Sequence, residues 1–189
     1  MMELNEVRRA VEALLLVAED PLSRTQLAGL LKEHDEDESN LSALVEQSLE
    51  LIKADCSERA YELVEVGSGF RLQVRPEFNK WIGKLWMQRP RQYSRALLET
   101  LALIAYRQPI TRGEIEQVRG VSVSSYTIRT LIDRGWIREL GAKDLPGRPM
   151  MYGTTRSFLD YFNLKTLDDL PPLHELQSPA NDIVDSVTQ

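Results

Sequence analysis

Apolar residues recur at helical spacing in the first part of the chain and at strand spacing after it. Helices are predicted over residues 4–18, 23–32 and 41–53. Ser23 and Gln26 form a capping box that opens the second of these helices. Apolar and polar residues then alternate on both sides of a Gly-Ser-Gly turn, which predicts a β-hairpin of strands 61–66 and 70–74. A further helix is predicted after the hairpin, over residues 76–87.

The same succession of elements returns in the second half of the chain. Helices are predicted over residues 96–105, 111–120 and 124–134, strands over 136–140 and 150–155, and a short closing helix over 157–162. Thr111 and Glu114 form a second capping box. Three helices followed by a hairpin are typical of the winged-helix fold. We therefore predict an α+β protein, mostly helical, with two tandem winged-helix domains, each of three helices plus a β-hairpin wing.

An internal repeat supports this prediction. Residues 14–27 align without a gap on residues 102–115, at a spacing of 88 residues. Repetition of this kind indicates two copies of one fold. The matched pairs are Pro21 with Pro109, Ser23 with Thr111, and Arg24 with Arg112.

Charge divides the chain into three parts. Residues 1–88 carry 10 basic and 17 acidic residues, whereas residues 89–165 carry 13 basic and 7 acidic ones. Residues 166–189 carry five acidic residues and no basic one. We predict a first domain over residues 1–88, a second over 89–173, and an acidic tail over 174–189 that has too little apolar surface to fold.

The basic second domain leaves two classes of partner open. Its third helix offers Arg129 and Arg134 and its wing offers Lys143 and Arg148, a distribution compatible with weak DNA binding by a winged-helix transcriptional regulator. The same surface could instead meet an acidic protein. In the first domain the corresponding helix is acidic and would be repelled by phosphates.

The helix over residues 96–105 favours a protein partner. Only Glu99 and Thr100 are polar within it, and a helix that is apolar on all sides must be buried on most of them. A winged-helix domain of this size has little material to surround one helix completely. Either a neighbouring domain of the same chain or a separate partner is expected to cover the rest.

The helix that ends the first domain places two tryptophans on one apolar face. Phe78, Trp81, Ile82, Leu85 and Trp86 follow helical spacing. This face can pack on its own domain or form a homodimer contact, since exposed aromatic patches mark interfaces.

No constellation for catalysis, cofactor or metal binding is present in the sequence. His34 and His174 are isolated, Cys56 is the single cysteine, and neither a phosphate-binding loop nor a nucleophile elbow occurs. We therefore expect no enzymatic activity, no cofactor and no metal. The polar N-terminus and the lack of a long apolar run predict a cytoplasmic protein without membrane contact.

Two motifs of the second domain resemble a known family. The run Ala-Tyr-Arg-Gln-Pro-Ile-Thr at residues 105–111 and the run Leu-Pro-Gly-Arg-Pro-Met-Met-Tyr-Gly-Thr at residues 145–154 are similar to segregation and condensation protein B, ScpB. The resemblance covers about residues 4–173. The family has a smaller aliphatic residue where Trp136 stands.

The resemblance implies a non-enzymatic homodimer that joins mainly through its first domains. It also implies binding to the kleisin ScpA, which bridges the heads of an SMC ATPase in a nucleoid-associated complex that condenses and segregates the bacterial chromosome, with DNA contact weak or indirect. Leu97, Leu101, Ile104 and Tyr106 are the predicted kleisin contacts, with Arg107 as a polar anchor and Arg148 as a wing contact or an internal brace. The predicted dimer interface consists of Val7, Val11, Trp81 and Trp86.

Overall fold

The computed structural model describes residues 3–32, 38–86 and 93–172. These residues form two compact units, one before and one after the gap at 87–92, and each is described by itself. The predicted boundary at residues 88 and 89 and the predicted tail over 174–189 lie outside the described residues.

The first unit follows the predicted order of elements. It contains α1 (Leu4–Val17), α2 (Arg24–Leu31), α3 (Glu38–Asp55), β1 (Tyr61–Val66), β2 (Gly69–Val74) and α4 (Asn79–Trp86). The Ser23 hydroxyl accepts a hydrogen bond from the Gln26 amide, and the Gln26 side chain accepts one from the Ser23 amide, which confirms the capping box. Apolar residues of α1, α2, α3 and the hairpin fill one core.

The wing of the first unit is tied to the turn before α2. Strands β1 and β2 pair antiparallel, with Glu65 opposite Phe70. Leu22 forms an additional bridge to Phe70. The neighbouring Gly69 has φ +149°, and a Cβ atom there would lie 2.4 Å from the carbonyl carbon of Leu22. The chain therefore needs glycine where the wing approaches this turn.

The second unit repeats this arrangement. It contains α5 (Arg95–Arg107), β3 (Ile110–Thr111), α6 (Arg112–Arg119), α7 (Ser125–Asp133), β4 (Ile137–Ala142), β5 (Met150–Thr154) and α8 (Arg156–Tyr161). Thr111 and Glu114 form the predicted capping box, and Gly120 ends α6 in the left-handed conformation, with φ +69°. These local signals explain why the helix bounds follow the sequence closely.

Strand β3 is the element that the sequence analysis missed. It pairs with β5, so the sheet has the order β3-β5-β4. Ile110 stands opposite Tyr152 in this pairing, just as Leu22 stands opposite Phe70 in the first unit. Leu22 and Ile110 are separated by the repeat spacing of 88 residues. The two units are thus copies of one winged-helix fold, and the predicted fold class is confirmed.

Helix α5 is covered by its own unit, which corrects the expectation that another domain or a partner must cover it. The side chains that point into the core are Leu97, Leu101, Ile104 and Ala105. Leu98 and Leu103 are half-buried against the same core. The solvent-facing strip is made of small or charged residues, and its exposed positions hold Arg95, Ala96, Glu99, Ala102 and Arg107.

Trp136 anchors a ring cluster at the end of the second unit. Its side chain is buried, and its ring centroid lies 5.2 Å from that of Tyr93, 4.6 Å from Tyr161 and 5.3 Å from Phe162. The large indole is thus accommodated by aromatic neighbours from the start of the unit and from α8.

Candidate protein-docking site

A groove lies between α7 and the wing of the second unit. Its volume is about 220 Å³. The residues that line it are Arg112, Ser125, Ile128, Arg129, Ile132, Glu139 and Tyr152. We call it the α7–wing groove.

The floor of the α7–wing groove is apolar. Ile128 is buried, and Ile132 and Tyr152 are half-buried against the core. Burial raises the pKa of the Tyr152 hydroxyl, and the nearby Glu139 carboxylate raises it further. Tyr152 therefore stays neutral and offers its ring and hydroxyl to a ligand.

Arg112 lies on the α6 side of the groove and is directed along the helix surface. Its Nε is 3.0 Å from Oε1 of Glu116, and its Nη1 donates to the Ser125 hydroxyl at 3.0 Å. Glu116 also accepts the Val123 amide at 2.8 Å. The amide first and Arg112 second lower the pKa of Glu116. Arg112 is thus held on α6 and α7 rather than across the groove.

Two further charges at the rim of the groove, one on the wing and one on α7, have weak partners or none. Glu139 is exposed on β4, and within the described residues its carboxylate makes no hydrogen bond or ion pair. Arg129, with a side chain that is 83% exposed, lies 3.8 Å from Asp133. Such a distant, exposed pair contributes little, so both rim charges are available to a ligand.

The wing is held next to the groove by a charge pair to α6. Lys143 bonds to the Glu114 carboxylate, whose other oxygen accepts the Thr111 amide at 2.9 Å. Lys143 first, and the Thr111 bonds after it, lower the pKa of Glu114 to about 2. This carboxylate therefore joins the helix cap to the wing.

Three of the predicted kleisin contacts belong to the core of the second unit. Leu97, Leu101 and Ile104 are 8%, 3% and 0% exposed. Side chains with so little accessible surface contribute to the core of the unit, and their contact with a kleisin stays a prediction. The helical spacing that identified them marks the buried face of α5.

The remaining candidates of the second unit lie at its surface. Tyr106 is half-buried and donates its hydroxyl to the carbonyl of Pro171, so it holds the end of the unit against α5. Arg107 and Arg148 are exposed, and within the described residues neither side chain has a partner. An internal brace by Arg148 is therefore not formed there, and the contact roles of Arg107 and Arg148 stay predictions.

The dimer candidates divide in the same way. Val7 and Val11 are 0% exposed in the core of the first unit, and their place in a dimer interface stays a prediction. Trp81 is 54% exposed on α4, where its ring lies 4.0 Å from Nζ of Lys80. The side chain of Trp86 lies outside the described residues, and its role stays a prediction.

Arg134 is not part of a DNA-facing surface. Its guanidinium carbon lies 4.6 Å from the Tyr93 ring centroid and 5.2 Å from that of Trp136, and Nη1 donates to the Tyr93 hydroxyl at 3.1 Å. The helical pattern of the sequence predicts this side chain at the exposed face of α7. Its cation–π contacts instead make it a brace of the ring cluster.

Comparison with known proteins identifies the family. A family model described as "Segregation and condensation complex subunit ScpB" matches residues 9–173. The chain belongs to this family. The resemblance predicted from the two motifs is therefore confirmed.

Relatives in the ScpB family share sequence over most of the chain. A "Segregation and condensation protein B homolog" of Coxiella burnetii is 51% identical over 168 residues, covering 88% of this chain and 78% of that protein. A "Segregation and condensation protein B" of Syntrophotalea carbinolica is 42% identical over 175 residues, covering 92% and 85%.

Solved structures of the ScpB family are also similar to the chain. ScpB from Mycobacterium tuberculosis is 33% identical, with 87% of this chain and 99% of that chain covered and a TM-score of 0.38. A dimer of a ScpB N-terminal domain complexed with an ScpA peptide is 34% identical, with coverages of 43% and 96% and a TM-score of 0.34.

Two features of the site in this ScpB-family chain were missed from the sequence. Glu139 and Tyr152 were not singled out, because what distinguishes them is their cross-strand pairing, which depends on a bulge at Glu139 and Gly141. The repeat contained a usable signal, since Arg112 aligns with Arg24 and both flank a wing.

No helix in the described ranges is long and apolar enough to cross a membrane.

Proposed function

We propose that this ScpB-family chain is a non-enzymatic subunit of a bacterial SMC–kleisin complex that condenses and segregates the chromosome. It acts as a homodimer in the cytoplasm, at the nucleoid, and binds an ScpA-type kleisin, through which it reaches the SMC ATPase. The observation that carries the proposal is the family match over residues 9–173, which spans both units. The family description names a complex subunit rather than a reaction.

We further propose that the first unit, within residues 1–88, forms the dimer. Its exposed surface includes large apolar side chains that a soluble domain normally covers. On α4, Trp81 is 54% and Leu85 is 76% exposed. Their place on one helix face fits a symmetric contact, in which the same patch serves both copies.

The second unit, within residues 89–173, is the proposed kleisin-binding domain. The α7–wing groove offers an apolar floor, and Arg107 and Arg148 offer exposed cations with no internal partner among the described residues. A duplex ligand is less favoured, because Glu139 faces the groove and Arg134 is turned away onto aromatic rings.

The dimer is tested by light scattering of the purified chain. We expect twice the chain mass at micromolar concentration, and a monomer for Trp81→Glu combined with Leu85→Glu. Leu30→Glu is the matched control, because Leu30 is 60% exposed on α2 and lies outside the proposed face. A wild-type monomer would refute the dimer.

Kleisin binding is tested by co-elution and calorimetry with the full-length ScpA-type protein of the same organism. We expect a complex that survives about 200 mM salt, since apolar burial depends weakly on ionic strength whereas phosphate contacts do not. No complex with ScpA, together with tight and sequence-selective duplex binding, would overturn the proposed function in favour of a DNA-binding regulator.

A further inference from the structure

Each repeat carries an arginine, a glutamate and an aromatic residue beside its wing. The pairing of Glu65 with Phe70 in the first unit corresponds to that of Glu139 with Tyr152 in the second. Backbone pairing with the segment before the second helix of each unit supports this correspondence. Leu22 pairs with Phe70 in the first unit, and Ile110 pairs with Tyr152 in the second. The third members are Arg24 and Arg112, which are separated by the repeat spacing of 88.

In the first unit the three side chains close the space between helix and wing. Nη1 of Arg24 lies 2.9 Å from Oε1 of Glu65 on the wing, and Nε lies 2.6 Å from Oε2 of Glu46 on α3. The guanidinium carbon also lies 4.6 Å from the Phe70 ring centroid. The arginine therefore bridges α3 and the wing and covers the Phe70 ring between them.

In the second unit the equivalent bridge is absent. Arg112 bonds to Glu116 and Ser125 on its own side, at 3.0 Å each. Glu139, the counterpart of Glu65, makes no hydrogen bond or ion pair with any described residue. Tyr152, the counterpart of Phe70, therefore lines an open groove of about 220 Å³. An arginine therefore joins the helix to the wing in the first unit, and the equivalent arginine does not do so in the second.

The composition of the open groove limits what can fill it. Ile128, Ile132 and Tyr152 favour apolar side chains, since removing apolar surface from water is favourable. The Glu139 carboxylate requires a cation when it is covered, because an unpaired charge is costly to bury. A nucleic-acid backbone supplies no apolar side chain for this floor. Arg129 on the rim would attract its phosphates, but Glu139 would repel them.

We propose that the α7–wing groove binds a short segment of the ScpA-type partner that places apolar side chains on Ile128, Ile132 and Tyr152 and a lysine or arginine beside Glu139. The inference rests on the proposed function, because it names the chemistry of the partner segment. In the second unit the cation of the ligand lies beside Glu139. This position is equivalent to that of the Arg24 guanidinium beside Glu65 in the first unit.

Charge reversal at Glu139 tests the proposal. Titrating full-length ScpA-type protein into Glu139→Lys should show at least about 10-fold weaker binding than wild type, because a paired charge is replaced by a repulsive one. Asp144→Lys is the matched control: it makes the same change on an exposed residue of the wing loop that does not line the groove, and its affinity should be unchanged. Thermal melting of each variant confirms that the fold persists.

The direction in which Glu139→Lys changes affinity distinguishes a basic peptide ligand from a DNA duplex. A basic segment binds Glu139→Lys more weakly, whereas a 24-base-pair duplex, tested in parallel, binds it more tightly. Changing basic residues of ScpA one at a time to glutamate should reveal one that restores binding to Glu139→Lys. Failure of every such change to restore binding contradicts the proposed contact.

Filling the groove provides an independent measurement. Ser125→Trp places a ring over Ile128 and should also weaken ScpA binding about 10-fold or more, with the first unit and its dimer unaffected. If wild type binds ScpA and neither Glu139→Lys nor Ser125→Trp weakens the complex, the groove is overturned as the site while the proposed function stands. If wild type does not bind ScpA at all, the proposed function itself fails, and the inference fails with it.

Discussion

Leu22 and Phe70 exchange two backbone hydrogen bonds, each 2.9 Å long. This pair fastens the wing of the first unit to the turn before α2, at the position where the second unit has strand β3. Gly69 precedes Phe70, and its lack of a Cβ atom allows the two segments to approach. A single added methyl group should therefore weaken the contact that positions the wing.

Gly69→Ala should lower the free energy of unfolding of the first unit by about 2–4 kcal/mol, because the new Cβ would lie 2.4 Å from Leu22 backbone atoms and because φ +149° is strained for alanine. Urea denaturation checks the value. Gly29→Ala is the control: nothing lies within 4 Å of a Cβ at this position inside α2, so helix propensity should make the change neutral or stabilising by up to about 1 kcal/mol. Equal effects at the two positions would refute the close approach.

Glu114→Gln should flatten the acid dependence of stability. Lys143 and the Thr111 bonds lower the pKa of the Glu114 carboxyl from 4.5 to about 2. Its contribution is therefore complete above about pH 4.5 and is lost as the pH falls towards 2. Glutamine keeps the capping bond but cannot pair with Lys143.

The stability difference between wild type and Glu114→Gln should stay below about 1 kcal/mol at pH 7, because the pair is screened by solvent, and it should shrink on acidification. Denaturant titrations from pH 7 to pH 3 measure it. A difference that grows as the pH falls would contradict the assignment.

Arg134→Glu should destabilise the second unit by about 2 kcal/mol or more, because it removes the bond to Tyr93 and sets a carboxylate against ring faces. Arg129→Glu, on the exposed side of the same helix, should cost about 0.5 kcal/mol, from like charges four residues apart. Calorimetric melting compares the two. Arg129→Glu is thus the suitable variant for removing residual duplex binding without damage to the fold.

Tyr106→Phe should loosen the end of the second unit. Loss of the hydroxyl that donates to Pro171 is expected to cost about 1 kcal/mol. Local opening then exposes the chain after Lys165, so trypsin should cut there several-fold faster, as measured by mass spectrometry. Tyr126→Phe is the control, because Tyr126 is 78% exposed and its hydroxyl makes no bond within the described residues. Unchanged cleavage in Tyr106→Phe would show that this bond does not hold the segment.

Local signals made most of the fold predictable. The capping boxes at Ser23 and Thr111 and the left-handed Gly120 set helix ends through bonds between near neighbours, and these are visible in the sequence. Strand β3 was missed because two residues are too few to show alternation, and its pairing with β5 depends on distant chain.

The site was less predictable than the fold. Helical periodicity correctly placed Leu101 and Val11 on the apolar faces of their helices, and both are buried. Periodicity alone does not show which apolar side chains stay exposed and can contact a partner. The packing of Arg134 was not visible in the sequence, because Tyr93 lies 41 residues away and Trp136 lies across a turn. Glu139 becomes informative only when its strand register is compared with that of Glu65.

Trp136 also gives the second unit its own optical signal. The chain has three tryptophans, and the other two, Trp81 and Trp86, belong to α4 of the first unit. The indole of Trp136 lies within 5.2 Å of the ring centres of Tyr93 and Tyr161, close enough to accept their excitation energy. In a variant with phenylalanine at positions 81 and 86, the tryptophan emission would come from Trp136 alone and would follow the unfolding of the second unit.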